Sequence, residues 1–216
     1  MFATTHSAIA SDAWRLGVEV EVVTSVSIMN AVYDHSCLQP YRFGKIVTVV
    51  APKEGIFFEY PIYVLRENRS RGLHTVLLLE MDAEKRYFMN PREAIEILLE
   101  AQRRSGITVL DESTPIVILS AVGSPKQCIE VRSVRDVING DYQCKHPPHT
   151  LVVPAPKLHP IEEECLEHLR TNPSHTLFKP SNVESSTIRI VEALHRLTEH
   201  VLKILVDQAE RRDEQR

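Results

Sequence analysis

Glycine is scarce, with 7 among 216 residues. None falls in a Gly-x-Gly-x-x-Gly or P-loop arrangement, so a phosphate cradle of glycine backbone within this chain is excluded. No window approaches the ~20 apolar residues of a membrane-spanning helix. The N-terminus has no basic stretch ahead of an apolar core, so a signal peptide is not expected and the cytoplasm is the default compartment. The four cysteines, Cys37, Cys128, Cys144 and Cys165, never form a Cys-x-x-Cys pair. In such a chain they are expected to be reduced thiols rather than zinc ligands. A formal net charge of -4 leaves no general basic field for nucleic acid.

What is present is an ordinary globular composition, 43% hydrophobic and 25% charged. A polar turn, "ATTHS", leads into a short helix over 8–16 with Gly17 as its cap. "VEVEVV" (18–23) alternates valine with glutamate, which predicts a strand with one wet face. "SVSIMNAVYDHSCLQPYRFG" reads as a loop-rich passage to a second strand, "KIVTVVA". Pro61 is placed to open a helix ending near Arg69. "HTVLLLEMD" is apolar almost throughout, as strands covered on both faces tend to be.

"NPREAIEILLEAQRRSG" is the clearest helix: Asn90 caps it, Pro91 takes the first helical position and Gly106 ends it. "TPIVILSAVGS" predicts a buried strand, "SVRDVING" a short helix, "HTLVVPAP" a fifth strand and "HPIEEECLEHL" a helix with acid near its N-terminus. After a polar linker, Ile190, Leu194, Leu197, Val201 and Ile204 form an apolar seam on a long helix opened by Ser181 and Glu184. The alternation of strands and helices implies an α/β protein of at least five strands.

The chain offers little conventional catalytic equipment. "HPPH" sets His146 and His149 on a rigid turn, but neither His-Glu-x-x-His nor a carboxylate triad accompanies them, so no metal is expected. His149 reads either as a structural hydrogen bond at a strand edge or as a pocket contact at a strand boundary. Ser27 and Asn30 follow the predicted first strand, where α/β folds bind ligands, though a polar turn explains them equally. No Gly-x-Ser-x-Gly surrounds any serine. Glu162, Glu163 and Glu164 are consecutive on a helix, point different ways and are expected to form a solvated face.

Several segments, in order and at matching spacing, resemble one family. "ATTHS", "SVSIMNA", "LQPYRFGK", "GLHTVLLLEMD" and "PPHTLVVPAPKLHPIEEE" are similar to diphthine synthase, a tetrapyrrole-methylase-like methyltransferase, over roughly residues 1–170. The resemblance implies a homodimeric enzyme that uses S-adenosylmethionine to methylate the modified histidine of translation elongation factor 2. It implies no metal, no membrane and no nucleic acid. An activated sulfonium needs positioning more than acid, base or nucleophile, so no catalytic side chain is assigned. By matching motifs, the resemblance assigns cofactor contacts to Phe2, Ser27, Ile28, Leu79, Val122 and His149.

The sequence also departs from the family. The Gly-Leu-Gly turn and Gly-Asp-Pro segment that precede "ATTHS" in the family are not in this chain. Ser120 and Ala121 stand where the family has Ala-Arg. The resulting expectation is a tetrapyrrole-methylase-like α/β fold lacking most of its N-terminal parallel-sheet domain. Residues 1–33 would be the remnant of a cofactor-binding domain, 34–170 the methyltransferase α/β domain, and 171–216 a linker and extra amphipathic helix. The alternative function is an inactive paralogue serving as a dimerising or partner-binding module.

Overall fold

The computed structural model describes residues 4–23 and 26–172. The expected helix beyond residue 180 and its apolar seam lie outside the described residues. In chain order the elements are α1 (Thr4–Arg15), α2 (Ile28–His35), a 3-10 turn (Pro40–Arg42), β1 (Val47–Val49), α3 (Tyr60–Ser70), β2 (Thr75–Leu79) and β3 (Met81–Asp82). They continue with β4 (Tyr87–Phe88), α4 (Pro91–Ser105), β5 (Pro115–Ser120), β6 (Cys128–Ser133), α5 (Val134–Asn139), β7 (His149–Val153) and α6 (Pro160–Thr171).

Five strands form one sheet in the order β1-β2-β7-β5-β6. Only β1 and β2 run parallel; β2–β7, β7–β5 and β5–β6 are antiparallel. Both faces are covered. Ile62 and Leu65 of α3, Ile95 and Leu98 of α4 and Val137 of α5 pack with Val47, Leu77, Ile118 and Leu151 on one face. Met29 and Val32 of α2 and Leu166 and Leu169 of α6 pack with Val76, Val117, Val131 and Val152 on the other. The result is a helix–sheet–helix sandwich, which is why β5 and β7 read as unbroken apolar runs. Burying one such leucine contributes about 1.5–3 kcal/mol.

Most local signals hold. Asn90 Oδ1 accepts from the Glu93 amide at 3.0 Å, Pro91 starts α4, and Gly106 closes it with φ 67°. Two expectations fail. Residues 18–23 are not a strand: Val18, Val22 and Val23 are exposed, and among the described residues no neighbouring strand supplies the hydrogen bonds that alternation alone cannot provide. Their place among the five strands of the sheet is taken by β6, while "HTLVV" forms β7 as expected. The passage after Val26 is not a loop either. Ser27 caps α2, with its Oγ accepting from the Met29 amide at 3.2 Å and its own amide donating to Asn30 Oδ1 at 3.0 Å.

Glu162 corrects a third reading. Its neighbours Glu163 and Glu164 are exposed, but Glu162 is 1% exposed. It accepts from the Gln39 amide (2.9 Å), Arg42 Nη1 (2.5 Å), His74 Nε2 (3.1 Å) and the His159 amide (2.8 Å). The Ala155 amide donates to His74 Nδ1 at 2.9 Å, so the proton of that ring sits on Nε2 and points at Glu162. Arg42 further donates to the carbonyls of Lys157 (2.6 Å) and Gly72 (3.2 Å). This network ties "LQPYRFGK", "GLHTV" and "KLHPIEE" together, which gives a physical reason for those motifs to travel as a set.

Gly44 sits at a point of close approach. A Cβ there would lie 2.2 Å from Asn68 Oδ1. That side chain holds both the amide and the carbonyl of Lys45 (3.0 and 2.8 Å) and the Thr75 hydroxyl (3.0 Å). Gly44→Ala is therefore expected to cost about 3 kcal/mol, as overpacking with lost hydrogen bonds. Urea denaturation measures this, and Gly44→Ala with Asn68→Ala should cost less than the sum of the two single changes.

Candidate functional site

A cavity of about 460 Å³ opens at the carboxyl ends of the parallel pair β1 and β2, the position where open α/β sheets leave a crevice. Leu78, Leu79 and Glu80 at the end of β2, Thr48 of β1, Ile28 of α2, and His149 and Thr150 of β7 line it. Strand register explains the convergence. Leu78 pairs with Thr150 across the β2–β7 ladder, so the end of β2 and the start of β7 meet at one edge. On the far side, His149 pairs with Ser120. Capping by Ser27 fixes where α2 begins and so delivers Ile28 to the cavity.

Of the six residues assigned from motifs, Ile28, Leu79 and His149 face this one cavity. Ser27 is half-buried at the cap directly before Ile28. Val122 is half-buried in the core layer formed with Met29 and Ile129, outside the lining. It is joined to the cavity edge indirectly: the neighbouring Ala121 amide donates to the Pro148 carbonyl at 2.9 Å. Phe2 lies outside the described residues. Thr48, Glu80 and Thr150 were not anticipated. Glu80 had a readable signal, a lone carboxylate closing the apolar run "VLLL" at a strand end.

The walls are chiefly apolar, and Glu80 is the one charged residue lining the cavity. Burial pushes its carboxyl upward, but Lys53 and the Ala51 amide (2.7 Å) more than offset this and hold it ionised, below the usual range. Burial lowers the pKa of His149, keeping the ring neutral. Its Nε2 lies 3.1 Å from the Cys144 carbonyl, which can only accept, so Nε2 carries the proton. The arrangement offers flat apolar surfaces, one anion and one neutral imidazole. That suits an aromatic ligand bearing positive charge. It holds no paired acid and base or activated nucleophile of its own.

The cysteine expectation is corrected. Cys128 and Cys144 form a disulfide, and Cys37 and Cys165 are free. The spacing concealed this because β6 and the 141–148 loop come together only through the sheet. Cys128, Glu130 and Cys144 are the one group of three potential metal ligands among the described residues. The two sulfurs are bonded to each other, so as it stands the group offers only a carboxylate. No helix among the described residues is long and apolar enough to cross a membrane.

No family model matches the chain. Individual relatives do. Diphthine synthase of Methanocaldococcus jannaschii is 37% identical over 174 residues, covering 80% of this chain and 66% of that protein. The Pyrobaculum aerophilum diphthine synthase is 38% identical over 174 residues, covering 81% and 66%. Among solved structures, a diphthine synthase superposes with a TM-score of 0.67 at 30% identity, covering 79% of this chain and 62% of that one. A conserved hypothetical protein of Aeropyrum pernix K1 gives 0.69 at 27% identity, covering 89% and 67%. The chain thus spans 66% of the length of these curated relatives, just under two thirds. Matched along four fifths of its length to proteins of one name, and sharing their fold, the chain belongs to the diphthine synthase family.

Proposed function

We propose that the chain is an S-adenosylmethionine-dependent methyltransferase of diphthamide biosynthesis, acting on the modified histidine of translation elongation factor 2 in the cytoplasm. The observation that carries this is the meeting of Ile28, Leu79 and His149, from three distant segments, in one cavity. A volume near 460 Å³ falls within the range of small-ligand pockets. Ile28, Leu78 and Leu79 supply apolar walls for an adenine, and Glu80 supplies the counter-charge for a sulfonium or ammonium.

When bound, the cofactor supplies an activated methyl group. The chain's part is to orient it, exclude water with its apolar walls and leave the acceptor in line, which is where the rate gain of such a transfer lies. Glu80, tied to Lys53 and Ala51, is held ionised for this purpose. Residues 34–170 form the methyltransferase α/β domain, and 1–33 contribute to the cofactor-binding part. Trp14, Leu16, Val22 and Val23 are exposed apolar residues that assembly as a homodimer would cover.

Calorimetric titration with S-adenosylmethionine tests the reading. Saturable one-to-one binding is expected, weakened at least tenfold by Thr150→Trp, which fills the cavity. Transfer of labelled methyl to elongation factor 2 bearing the modified histidine should follow. Absence of both binding and transfer overturns it.

A further inference from the structure

The environment of His149 is held by groups to which the methyl-transfer reading gives no role. Cys144, whose carbonyl meets His149 Nε2 at 3.1 Å, is fully buried and covalently joined to Cys128 of β6. The same short segment is gripped a second time. Glu130, also fully buried, takes the amides of Gln143 and Cys144 on one carboxylate oxygen, each at 2.7 Å. Its other oxygen faces Arg132 Nη2 at 3.0 Å as an ion pair. Between Cys144 and His149 the chain runs through Pro147 and Pro148, so little slack remains to absorb a shift of residue 144. The β5–β7 ladder and the bonds from Ala121 and Ser120 to the Pro148 and His146 carbonyls fix the backbone at His149, while the Cys144 carbonyl that its ring meets is held by a clamp with one covalent arm and one ionic arm.

We infer that the Cys128–Cys144 disulfide is a positioning element for the cofactor cavity, so that ligand affinity responds to the thiol redox state. The inference rests on the reading of this cavity as the cofactor site. Reduction by a dithiol breaks the Sγ–Sγ bond. Two electrons and two protons pass to Cys128 and Cys144, and the dithiol closes its own disulfide. Glu130 alone then retains the 143–144 segment, and the Cys144 carbonyl loses its fixed aim at Nε2. Proteins kept with cytosolic reductants rarely hold structural disulfides, so a bond that bears on a ligand site is suited to report oxidation. The other thiols make a built-in contrast. Cys37 and Cys165 share a hydrogen bond on the opposite face, with Cys37 pushed up to about 12 by burial and then by its partner, and neither touches the cavity.

The test compares oxidised protein, protein reduced with dithiothreitol and re-oxidised protein, together with Cys144→Ser and Cys37→Ser. Thiol alkylation with mass analysis of the native protein should label no more than two of the four cysteines. Reduction and Cys144→Ser should each weaken S-adenosylmethionine binding about three- to tenfold, re-oxidation should restore it, and Cys37→Ser should change nothing. Nitrogen chemical shifts of the His149 ring should move toward a mixture of tautomers on reduction, a readout that general loss of stability would not shift in folded protein. Four labelled cysteines, or identical affinity and His149 shifts in both redox states, would overturn the inference. If oxidised protein binds no cofactor, the cofactor reading fails, and the His149 shifts alone decide whether the clamp exists.

Discussion

Glu162→Ala is expected to lower the unfolding free energy by about 3–5 kcal/mol, the usual consequence of removing one partner of a buried ion pair. The carboxylate is the common acceptor for Arg42, His74 and two backbone amides. Without it, a guanidinium and several donors are left in a site with too little water to solvate them. Glu162→Gln keeps the volume and one carbonyl acceptor, so its cost should be smaller but still substantial. Chemical denaturation at pH 7 reads both. The loss is a large part of the 5–15 kcal/mol typical of a domain, so Glu162→Ala should also shift the thermal midpoint by many degrees. A loss below about 1 kcal/mol would mean that the network does not join α6 to the sheet as argued.

The second large effect is acid lability above the carboxylate range. Burial lowers the pKa of His74, and the geometry explains why it must stay neutral: the Ala155 amide already donates to Nδ1, so a second ring proton would meet a donor. His149 is likewise lowered by burial. For a histidine lowered in the folded state, the unfolded chain binds the extra proton first. The stability contribution is therefore complete above the unfolded value near 6.5 and declines as pH falls through it. Each histidine that stays neutral when folded contributes a slope of up to about 1.4 kcal/mol per pH unit. Glu162 adds to the decline at lower pH, because its carboxyl is held below the usual range despite burial. Urea midpoints should fall steadily from pH 7 to pH 5. In His74→Gln, already less stable at pH 7, that slope should be visibly shallower. An unchanged slope would show that His74 is not the titrating group.

Elements with local punctuation could be read from sequence, and elements made by distant partners could not. The proline, asparagine and glycine around α4 are local devices, and the structure repeats them residue for residue. "VEVEVV" has the period of a strand but no neighbour to pair with. "CIEVRS" carries the same alternation in Ile129 and Val131, and it becomes a strand because β5 lies beside it. Its inward Glu130 hid it, since a charged residue in a covered sheet makes sense only with the Cys144 amide and Arg132 in view. Glu162 was misread for the same reason, as its partners lie 88 and 120 residues away. At the candidate site, motif resemblance brought in Ile28, Leu79 and His149. Thr48 and Thr150, small polar residues inside apolar strands, gave no signal of their own.

The order β1-β2-β7-β5-β6 places the last-made strand in the middle of the sheet. During synthesis, β2 and β5 leave the ribosome with no mutual contact to close, and both wait for residues 149–153 before either has a full set of neighbours. Local helices can form early, whereas long-range pairing of this kind is slow and leaves apolar edges open meanwhile. Until "HTLVV" emerges, β2 and β5 each keep one apolar edge without its partner, and the sheet can close only after that segment is made.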